Sequence, residues 1–214
     1  MLPRLLYPML AQKAEAPFDS DQHLFEIKWD GIRCLALVEA GRVRLQRRHL
    51  TETTAQFPEL GGLARLPSGT ILDGELVALR EGKPSLRAIQ SRALLQNRSR
   101  IRRIADSEPV TYVVFDLLFL KGRPLLAAPL SLRREALQEL IEKYPLPGVV
   151  ASHAVSRFGC HLFDQVASLG LEGIMAKRSD SLYLPGKRSR YWLKIKPSQN
   201  PLAPLPVNAG LMAK

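Results

Sequence analysis

The chain has 214 residues, of which 46% are hydrophobic and 24% charged, as in an ordinary globular protein with one sizeable core. Its 31 lysines and arginines outnumber 20 aspartates and glutamates, which gives a formal net charge of +11 and an isoelectric point near 10.1. No apolar run approaches the ~20 residues that cross a bilayer. These properties exclude a membrane-spanning protein and favour nucleic acid as a polyanionic partner.

Cysteine and histidine are sparse. Cys34 and Cys160 are far apart, which excludes a disulfide framework and a C-x-x-C metal or redox site. The four histidines lack the spacing of a zinc site. We therefore expect a protein of a reducing compartment, cytoplasmic and associated with the nucleoid.

Strand-like runs recur along the chain. Alternating or β-branched residues predict strands at 24–28, 33–38, 43–48, 71–79, 111–117, 173–178 and 191–196. The dipeptide Ala40-Gly41 suits a tight hairpin between the second and third of them.

Helices are fewer, which predicts the α+β class. They are expected at 86–95, 131–143 and 161–169, with Ser131 as an N-cap and Gly170 just beyond a helix end. From Pro197 onward the sequence holds four prolines and no charge until Lys214. Residues 198–214 are therefore expected to be a Pro-rich linker or a disordered tail.

Charged residues alternate with apolar ones in several of the strands. Glu26 and Lys28 share a strand face, and Lys28 ends that strand before Asp30-Gly31. An antiparallel sheet with one solvated face produces the same alternation without any function. The combination of several lysines and arginines with two or three carboxylates nevertheless suits a site for phosphates and a metal.

Five short motifs carry a family resemblance. In order and spacing they resemble the motifs of the covalent nucleotidyltransferases, which include DNA ligases, RNA ligases and mRNA-capping guanylyltransferases. The motifs are KWDGIR (28–33), LDGEL (72–76), VVFDLL (113–118), LEGIMAKR (171–178) and WLKIKP (192–197). The flanking YPMLA and FPEL are most similar to bacterial ATP-dependent DNA ligases of the end-joining type.

The resemblance implies a fold and a reaction. Residues 1–197 would form an adenylation domain of the nucleotidyltransferase (ATP-grasp-like) fold, in which antiparallel sheets enclose an AMP pocket. Lys28 would attack the α-phosphate of ATP, and an amine attacks only in its neutral form. Lys194 and Lys196 match lysines that contact this phosphate. Glu172 and Glu75 match acidic positions that hold Mg²⁺ or Mn²⁺, Glu75 also contacting ribose.

Other motif positions would bind the rest of the nucleotide. Phe115 and Met175 match residues on the two faces of adenine, although without the resemblance both are more simply explained as core residues. Glu26 matches the position that reads the adenine amino group. The remaining assigned nucleotide contacts are Ile27, Arg33 and Arg48, and Arg47 is an alternative to the last of these.

The substrate is expected to be nicked or broken duplex DNA. Residues 92–103 contain five arginines and no acid, which suits contact with DNA phosphates but also describes an ordinary solvated surface. A Ku-like end-binding protein is an expected partner. The alternatives are an RNA ligase, a capping enzyme, or a non-catalytic DNA-binding module that keeps the fold.

Ligases of this type continue into an OB-fold domain of ~100 residues. Only 17 residues follow Pro197, so the sequence predicts that this domain is absent here. The sequence would then be a piece of a longer protein, a minimal protein with an OB-fold partner, or one of reduced activity. Slow lysine adenylation is expected without a domain that orients the leaving pyrophosphate.

Overall fold

The computed structural model describes residues 2–197. Its strands are β1 (Leu10–Lys13), β2 (Ser20–Ile27), β3 (Ile32–Glu39), β4 (Arg42–Arg47), β5 (Thr70–Val77), β6 (Leu79–Arg80), β7 (Lys83–Pro84), β8 (Thr111–Leu120), β9 (Arg123–Pro124), β10 (Val149–Ala151), β11 (Ala154–Arg157), β12 (Ile174–Arg178) and β13 (Arg188–Ile195). The helices are α1 (Leu86–Ala93), α2 (Arg98–Ser107), α3 (Leu130–Lys143) and α4 (Gly159–Ser168), with 3₁₀ segments at Thr54–Gln56 and Pro58–Arg65.

Two sheets make up most of the structure. The first has the strand order β1-β13-β12-β2-β11, and the second has the order β10-β8-β5-β3-β4 with β9 beside β8. Neighbouring strands are antiparallel except for the β1–β13 and β10–β8 pairs. The predicted α+β fold with antiparallel sheets is confirmed.

The two-residue period of the strands separates two hydrophobic cores. On β3, Cys34, Ala36 and Val38 face the core shared with α1, α3 and the 3₁₀ segments. Leu35 and Leu37 point the other way, into the core between the two sheets. The second sheet is therefore buried on both faces, and polar groups that enter the inner layer must be paired.

A third core covers the outer face of the first sheet. Phe163 and Val166 of α4 pack there against Phe25, Ile174 and Ile195. All five side chains are at most 6% exposed. The result is a sequence of four layers: α4, the first sheet, the second sheet, and the remaining helical segments.

Several local predictions are confirmed and others are wrong. Ala40 and Gly41 have φ of 50° and 68° and form the predicted tight turn of the β3–β4 hairpin. Ser131 does not cap a helix, because α3 begins one residue earlier with Pro129 at its N-cap. The prediction for residues 198–214 falls outside the described residues. No helix within residues 2–197 is long and apolar enough to cross a membrane.

Helix α2 is absent from the predictions. It spans Arg98–Ser107, and the side chain of its N-cap Asn97 accepts a hydrogen bond from the Arg100 backbone N–H at 2.9 Å. Ile101 and Ala105 are its buried residues. Two apolar residues in an arginine-rich stretch give too narrow a stripe to reveal helical periodicity.

A fully buried ion pair joins α3 to β8. Arg133 donates from Nε to Asp116 Oδ1 at 2.7 Å and from Nη2 to Oδ2 at 2.8 Å, and both side chains are 0% exposed. Arg133 Nη1 donates to the carbonyls of Ala128 and Ser181. Asp116 therefore ties helix α3 to strand β8.

Arg133→Met should lower the free energy of unfolding by about 3–5 kcal/mol, because it leaves the Asp116 carboxylate buried without its partner. Adding Asp116→Leu should recover part of this loss, since no unpaired charge then remains. Urea denaturation of the single and double variants measures both effects. Arg178→Met, which removes an exposed ion pair with Asp180, is the control and should leave the midpoint unchanged. Equal effects of Arg133→Met and the control would contradict the assignment.

Candidate functional site

A cavity of about 220 Å³ opens between the two sheets. It lies where β2, β12 and β13 face β3, β5 and β8. Nine of the residues singled out in the sequence line it, namely Glu26, Ile27, Lys28, Arg33, Arg48, Glu75, Phe115, Met175 and Lys194. The predicted set thus converges on one pocket from both sheets, with Glu172 and Lys196 just outside the lining.

Lys28 directly follows β2, and polar contacts fix both its backbone and its side chain. Its backbone N–H donates to the Gly173 carbonyl at 2.8 Å. Its Nζ is 2.5 Å from Glu172 Oε2, and Lys196 Nζ is 2.6 Å from Glu172 Oε1. Glu172 therefore bridges two lysines that come from different strand ends.

Two glycines near Lys28 allow neighbouring backbone segments to approach each other closely. Gly173 has φ of 135°, and a Cβ there would lie 2.1 Å from the Ile195 carbonyl oxygen. A Cβ at Gly31 would lie 2.2 Å from the Leu76 carbonyl oxygen and 2.9 Å from Glu75 Cγ. Gly31 is thus required for packing against β5 rather than for a left-handed turn.

Glu26 lies in the inner part of the pocket and is 2% exposed. Arg134 Nη1 donates to its Oε1 at 2.8 Å, and Lys177 Nζ donates to its Oε2 at 3.1 Å. Lys177, itself 2% exposed, also lines the pocket. The carboxylate is therefore oriented by a cation on each oxygen.

Phe115 belongs both to the core and to the pocket wall. It is 8% exposed and packs edge-to-face on Trp192 with ring centroids 6.1 Å apart. Lys177 Nζ lies 4.1 Å from the centroid of its ring, and Arg33 Cζ lies 4.7 Å from it. Met175, half-buried on β12 of the other sheet, also lines the pocket. Phe115 is therefore a core residue that also forms part of the pocket wall.

Arg33 is anchored on the buried carboxylate of Asp73. The two side chains form a bidentate pair, with Nε–Oδ1 at 2.6 Å and Nη2–Oδ2 at 2.7 Å. The Tyr183 hydroxyl also donates to Asp73 Oδ2 at 2.6 Å. Arg33 therefore stands in the pocket wall as a fixed positive charge.

Cations dominate the pocket. Six of its lining side chains are cationic and two are acidic: Lys28, Arg33, Arg48, Lys177, Arg188 and Lys194 against Glu26 and Glu75. Burial, together with the charges of Arg188, Lys196, Lys28 and Arg48, lowers the pKa of Lys194. Such a field favours a polyanion.

The acidic groups respond differently to this environment. Burial raises the pKa of the half-buried Glu75 to about 8, although Arg33 and Lys28 partly oppose the shift. Burial also acts to raise the pKa of Glu172, but its hydrogen bonds from Lys196 and Lys28 outweigh this and lower it. Glu172 is therefore ionised at neutral pH, whereas Glu75 is largely protonated.

The carboxylates beside Lys28 fit a hard divalent cation only in part. Residues 2–197 contain no cluster of three or more His, Cys, Asp or Glu side chains that could form a complete metal cage. Mg²⁺ is commonly held by one or two carboxylates together with waters and substrate phosphates. Glu172 supplies an ionised carboxylate of that kind, and Glu75 would supply a second one on losing its proton.

Sequence reasoning missed several side chains at the site. Lys177, Arg188 and Trp192 line the pocket, and the first and last lie inside motifs that were recognised. Alternation along β12 puts Lys177 on the same face as Met175, a signal that was available. Arg134 reaches Glu26 from 108 positions away, and no local pattern reveals such a contact.

Comparisons with known proteins agree with this geometry. A family model described as "ATP dependent DNA ligase domain" matches residues 8–196. The DNA ligase-like protein LigB of a Bacillus subtilis prophage is 33% identical over 189 residues, which cover 88% of this chain and 66% of LigB. The end-joining repair protein LigD of Mycobacterium tuberculosis is 37% identical over 197 residues, covering 89% of this chain and 24% of LigD.

Solved structures give the same result. The crystal structure of the ligase domain of M. tuberculosis LigD matches with a TM-score of 0.75 and 34% identity, over 89% of this chain and 59% of that one. A mycobacterial DNA ligase D in complex with ATP and MES matches with a TM-score of 0.72 and 33% identity, over 89% and 60%. The chain thus spans from about a quarter to about two thirds of these relatives. By its sequence, its fold and its motif residues, the chain belongs to the family of ATP-dependent DNA ligase domains.

Proposed function

We propose that this chain carries out the AMP-transfer chemistry of a DNA ligase, with Lys28 as the nucleophile. The observation that carries the proposal is the position of Lys28 at a pocket lined by six cations, beside the motif residues of both sheets. A relative named as a DNA ligase-like protein and the structure of a mycobacterial DNA ligase D with ATP favour ATP and DNA over RNA capping.

The first step joins AMP to the protein. Lys28 Nζ forms a bond to the α-phosphorus of ATP, the bond from that phosphorus to the bridging oxygen breaks, and pyrophosphate leaves. Lys28 Nζ is paired with Glu172, and because an amine attacks only in its neutral form, a proton must leave Nζ before attack. Lys194 and the other cations of the pocket would stabilise charge on the phosphate oxygens.

In the second step a 5′-phosphate oxygen of nicked DNA attacks the same phosphorus. The bond between that phosphorus and Nζ breaks, which leaves AMP joined to the DNA end through a pyrophosphate linkage. Mg²⁺ or Mn²⁺, held by Glu172 and Glu75, would supply charge neutralisation at the phosphates. The cationic lining orients phosphates in either step.

The remaining assignments are proposals of the same kind. Phe115 and Met175 would hold the adenine ring, Ile27 would contact it, and Arg33, Arg48 and Lys196 would contact ribose or phosphates. A Ku-like end-binding protein and an OB-fold partner stay predictions from the resemblance.

Incubation with α-labelled ATP and Mg²⁺, followed by denaturing electrophoresis, should leave one label per chain. Lys28→Ala should abolish this label, because the phosphoramidate bond forms at its Nζ. Intact mass spectrometry of the untreated protein checks for AMP already bound, and GTP tests the capping alternative. Chasing labelled protein with nicked duplex, intact duplex or RNA should move the label to the nicked duplex.

Lys83→Ala, which removes an exposed lysine of the β6–β7 hairpin, is the matched control and should label like the wild type. Label that survives in Lys28→Ala would exclude Lys28 as the nucleophile. Wild-type protein that binds nicked DNA, takes no label and carries no AMP would favour the non-catalytic DNA-binding module.

Glu75→Gln should change how stability depends on pH. The folded pKa of Glu75 is raised to about 8, so its protonated side chain favours the folded state. This contribution to the free energy of unfolding is fully present below the unfolded pKa and is lost as pH rises through 8. The melting temperature of the variant minus that of the wild type should therefore be larger at pH 9 than at pH 6. The expected increase is about 2–4 °C for a difference of ~1 kcal/mol in the free energy of unfolding. Thermal melts at both values measure this, and a pH-independent difference would contradict it.

Exposed arginines of α2 are proposed as contacts for DNA phosphates. Arg98, Arg100, Arg102 and Arg103 are exposed, whereas Arg92 is 4% exposed and bound to Glu59 at 2.9 Å. The predicted basic stretch therefore divides into a structural arginine and a surface group.

A double variant, Arg102→Gln with Arg103→Gln, should reduce the slope of log K against log salt for nicked duplex by about 1–2, because each lost phosphate contact removes a released counterion. Fluorescence anisotropy over a salt series measures the slope. Arg157→Gln, on β11 and paired with Asp21, is the control. A slope that equals the wild-type value in the double variant would place the DNA elsewhere.

A further inference from the structure

A second cavity lies between helices α1 and α2 and the β6–β7 hairpin. Its volume is about 360 Å³, and none of its lining residues lines the pocket between the two sheets. On α1, Ala88, Ser91 and Arg92 line it, with the spacing of three and four residues that places side chains on one helix face. Arg100 and Ile104 line it from α2 with the same spacing. Two helices that take no part in the proposed lysine chemistry therefore form a separate site.

Arginines dominate the lining of this cavity. In the described part of the chain, four arginines and one acidic residue line it, namely Arg80, Arg87, Arg92, Arg100 and Glu108. Glu108 is paired with Arg80. Within residues 2–197, Arg87 and Arg100 form no ion pair, and both are exposed. Two uncompensated positive charges at one cavity favour an anion as its ligand.

Arg92 adds a buried donor that has no acceptor. Its side chain is 4% exposed, its Nε donates to the Gln56 carbonyl at 2.9 Å, and its Nη2 donates to the Glu59 carboxylate oxygens at 2.9 and 3.1 Å. Its Nη1 is buried without a hydrogen-bond partner among residues 2–197. A buried N–H group without an acceptor costs free energy. Because Arg92 lines the cavity, a ligand oxygen seated against it supplies the missing acceptor.

A phosphate group matches this set of donors. Its oxygens accept several hydrogen bonds at once, and guanidinium groups bind it through charge-assisted hydrogen bonds. The N-cap of α1, Ser85, also lines the cavity, and the N-terminus of a helix adds positive potential for an anion. Leu79, Leu95 and Ile104 add apolar surface to the wall, against which the carbon atoms of a phosphate ester can pack.

We propose that this cavity is a phosphate-binding site, separate from the pocket of Lys28. Arg87 and Arg100 neutralise the charge of the phosphate, and Arg92, oriented by Glu59, donates from Nη1 to one of its oxygens. The phosphate belongs either to the backbone of bound DNA or to a free phosphate ester. The site goes beyond the surface contacts proposed for the exposed arginines of α2, because a buried donor and an enclosed volume contribute to it.

Titration of isotope-labelled protein with inorganic phosphate, followed by heteronuclear NMR, tests the site. The amide signals of residues 85–92 and 100–104 and the Nε–H signal of Arg92 should shift and saturate at millimolar phosphate. Sodium chloride at the same ionic strength should not reproduce this saturation, because screening alone involves no site. The double variant Arg87→Gln with Arg100→Gln should raise the Kd for phosphate about 10- to 100-fold, since each lost guanidinium removes charge-assisted hydrogen bonds.

Controls separate loss of the site from damage to the fold. Both arginines of the double variant are exposed, so the protein should fold, and melting curves verify this. Arg123→Gln, which removes an exposed arginine on β9, is the matched control and should keep the wild-type Kd. Arg92→Lys keeps a charge beside Glu59 but has no equivalent of Nη1, and it should raise the Kd about tenfold. Shifts that do not saturate, or an unchanged Kd in the double variant, would overturn the proposal.

Binding of nicked duplex distinguishes the two sources of the phosphate. If DNA supplies it, phosphate should weaken DNA binding more than chloride does at equal ionic strength, and this excess should vanish in the double variant. If a free ester supplies it, both salts should weaken DNA binding equally while the NMR titration still saturates. Either result supports the site and identifies its ligand. Because the NMR signals report on α1 and α2, the test is independent of whether Lys28 takes up AMP.

Discussion

Charged side chains lie between two packed sheets, and their pairing is the constraint on which the pocket depends. The carboxylates of Asp73 and Asp116 are 0% exposed, and each is held by an arginine through two hydrogen bonds. Such pairs recover little net stability, because desolvation offsets most of the Coulomb attraction. Their main effect is to fix geometry. Separating a buried charge from its partner costs free energy, so each pair keeps a single arrangement of its side chains.

Buried ion pairs of this kind orient the side chains of the pocket. The Asp73 pair places Arg33 in the wall, and Glu26 has cations on both oxygens. The pocket is thus assembled before any ligand enters, with donors and acceptors already oriented. Preorganised charge of this kind is what phosphoryl chemistry requires, because little covalent work is left for the protein beyond the nucleophile.

Most of this site could be predicted because the strand period is local. Alternation placed Glu26 and Lys28 on one strand face, and the motifs supplied the order in which the strands contribute residues. What escaped prediction depends on contacts distant in sequence. Arg134 is one arginine of an ordinary amphipathic helix until α3 packs against β8 and β10, from where Arg134 reaches Glu26. The close contact of Gly31 with β5 likewise arises only in the fold. Helix α2 was not predicted because its apolar stripe is narrow and lies within an arginine-rich stretch.

Two consecutive residues of α3 form ion pairs with different sheets. Arg133 holds β8 through Asp116, and Arg134 holds β2 through Glu26 while also binding the Phe115 carbonyl of β8. Consecutive positions on one helix turn cannot move apart, so the two walls of the pocket are tied to a common anchor. Local opening of one wall without the other would break buried charge pairs, which makes partial openings rare. The pocket should therefore open as one cooperative unit, and hydrogen exchange of the backbone amides of β2 and β8 should report a common free energy of opening.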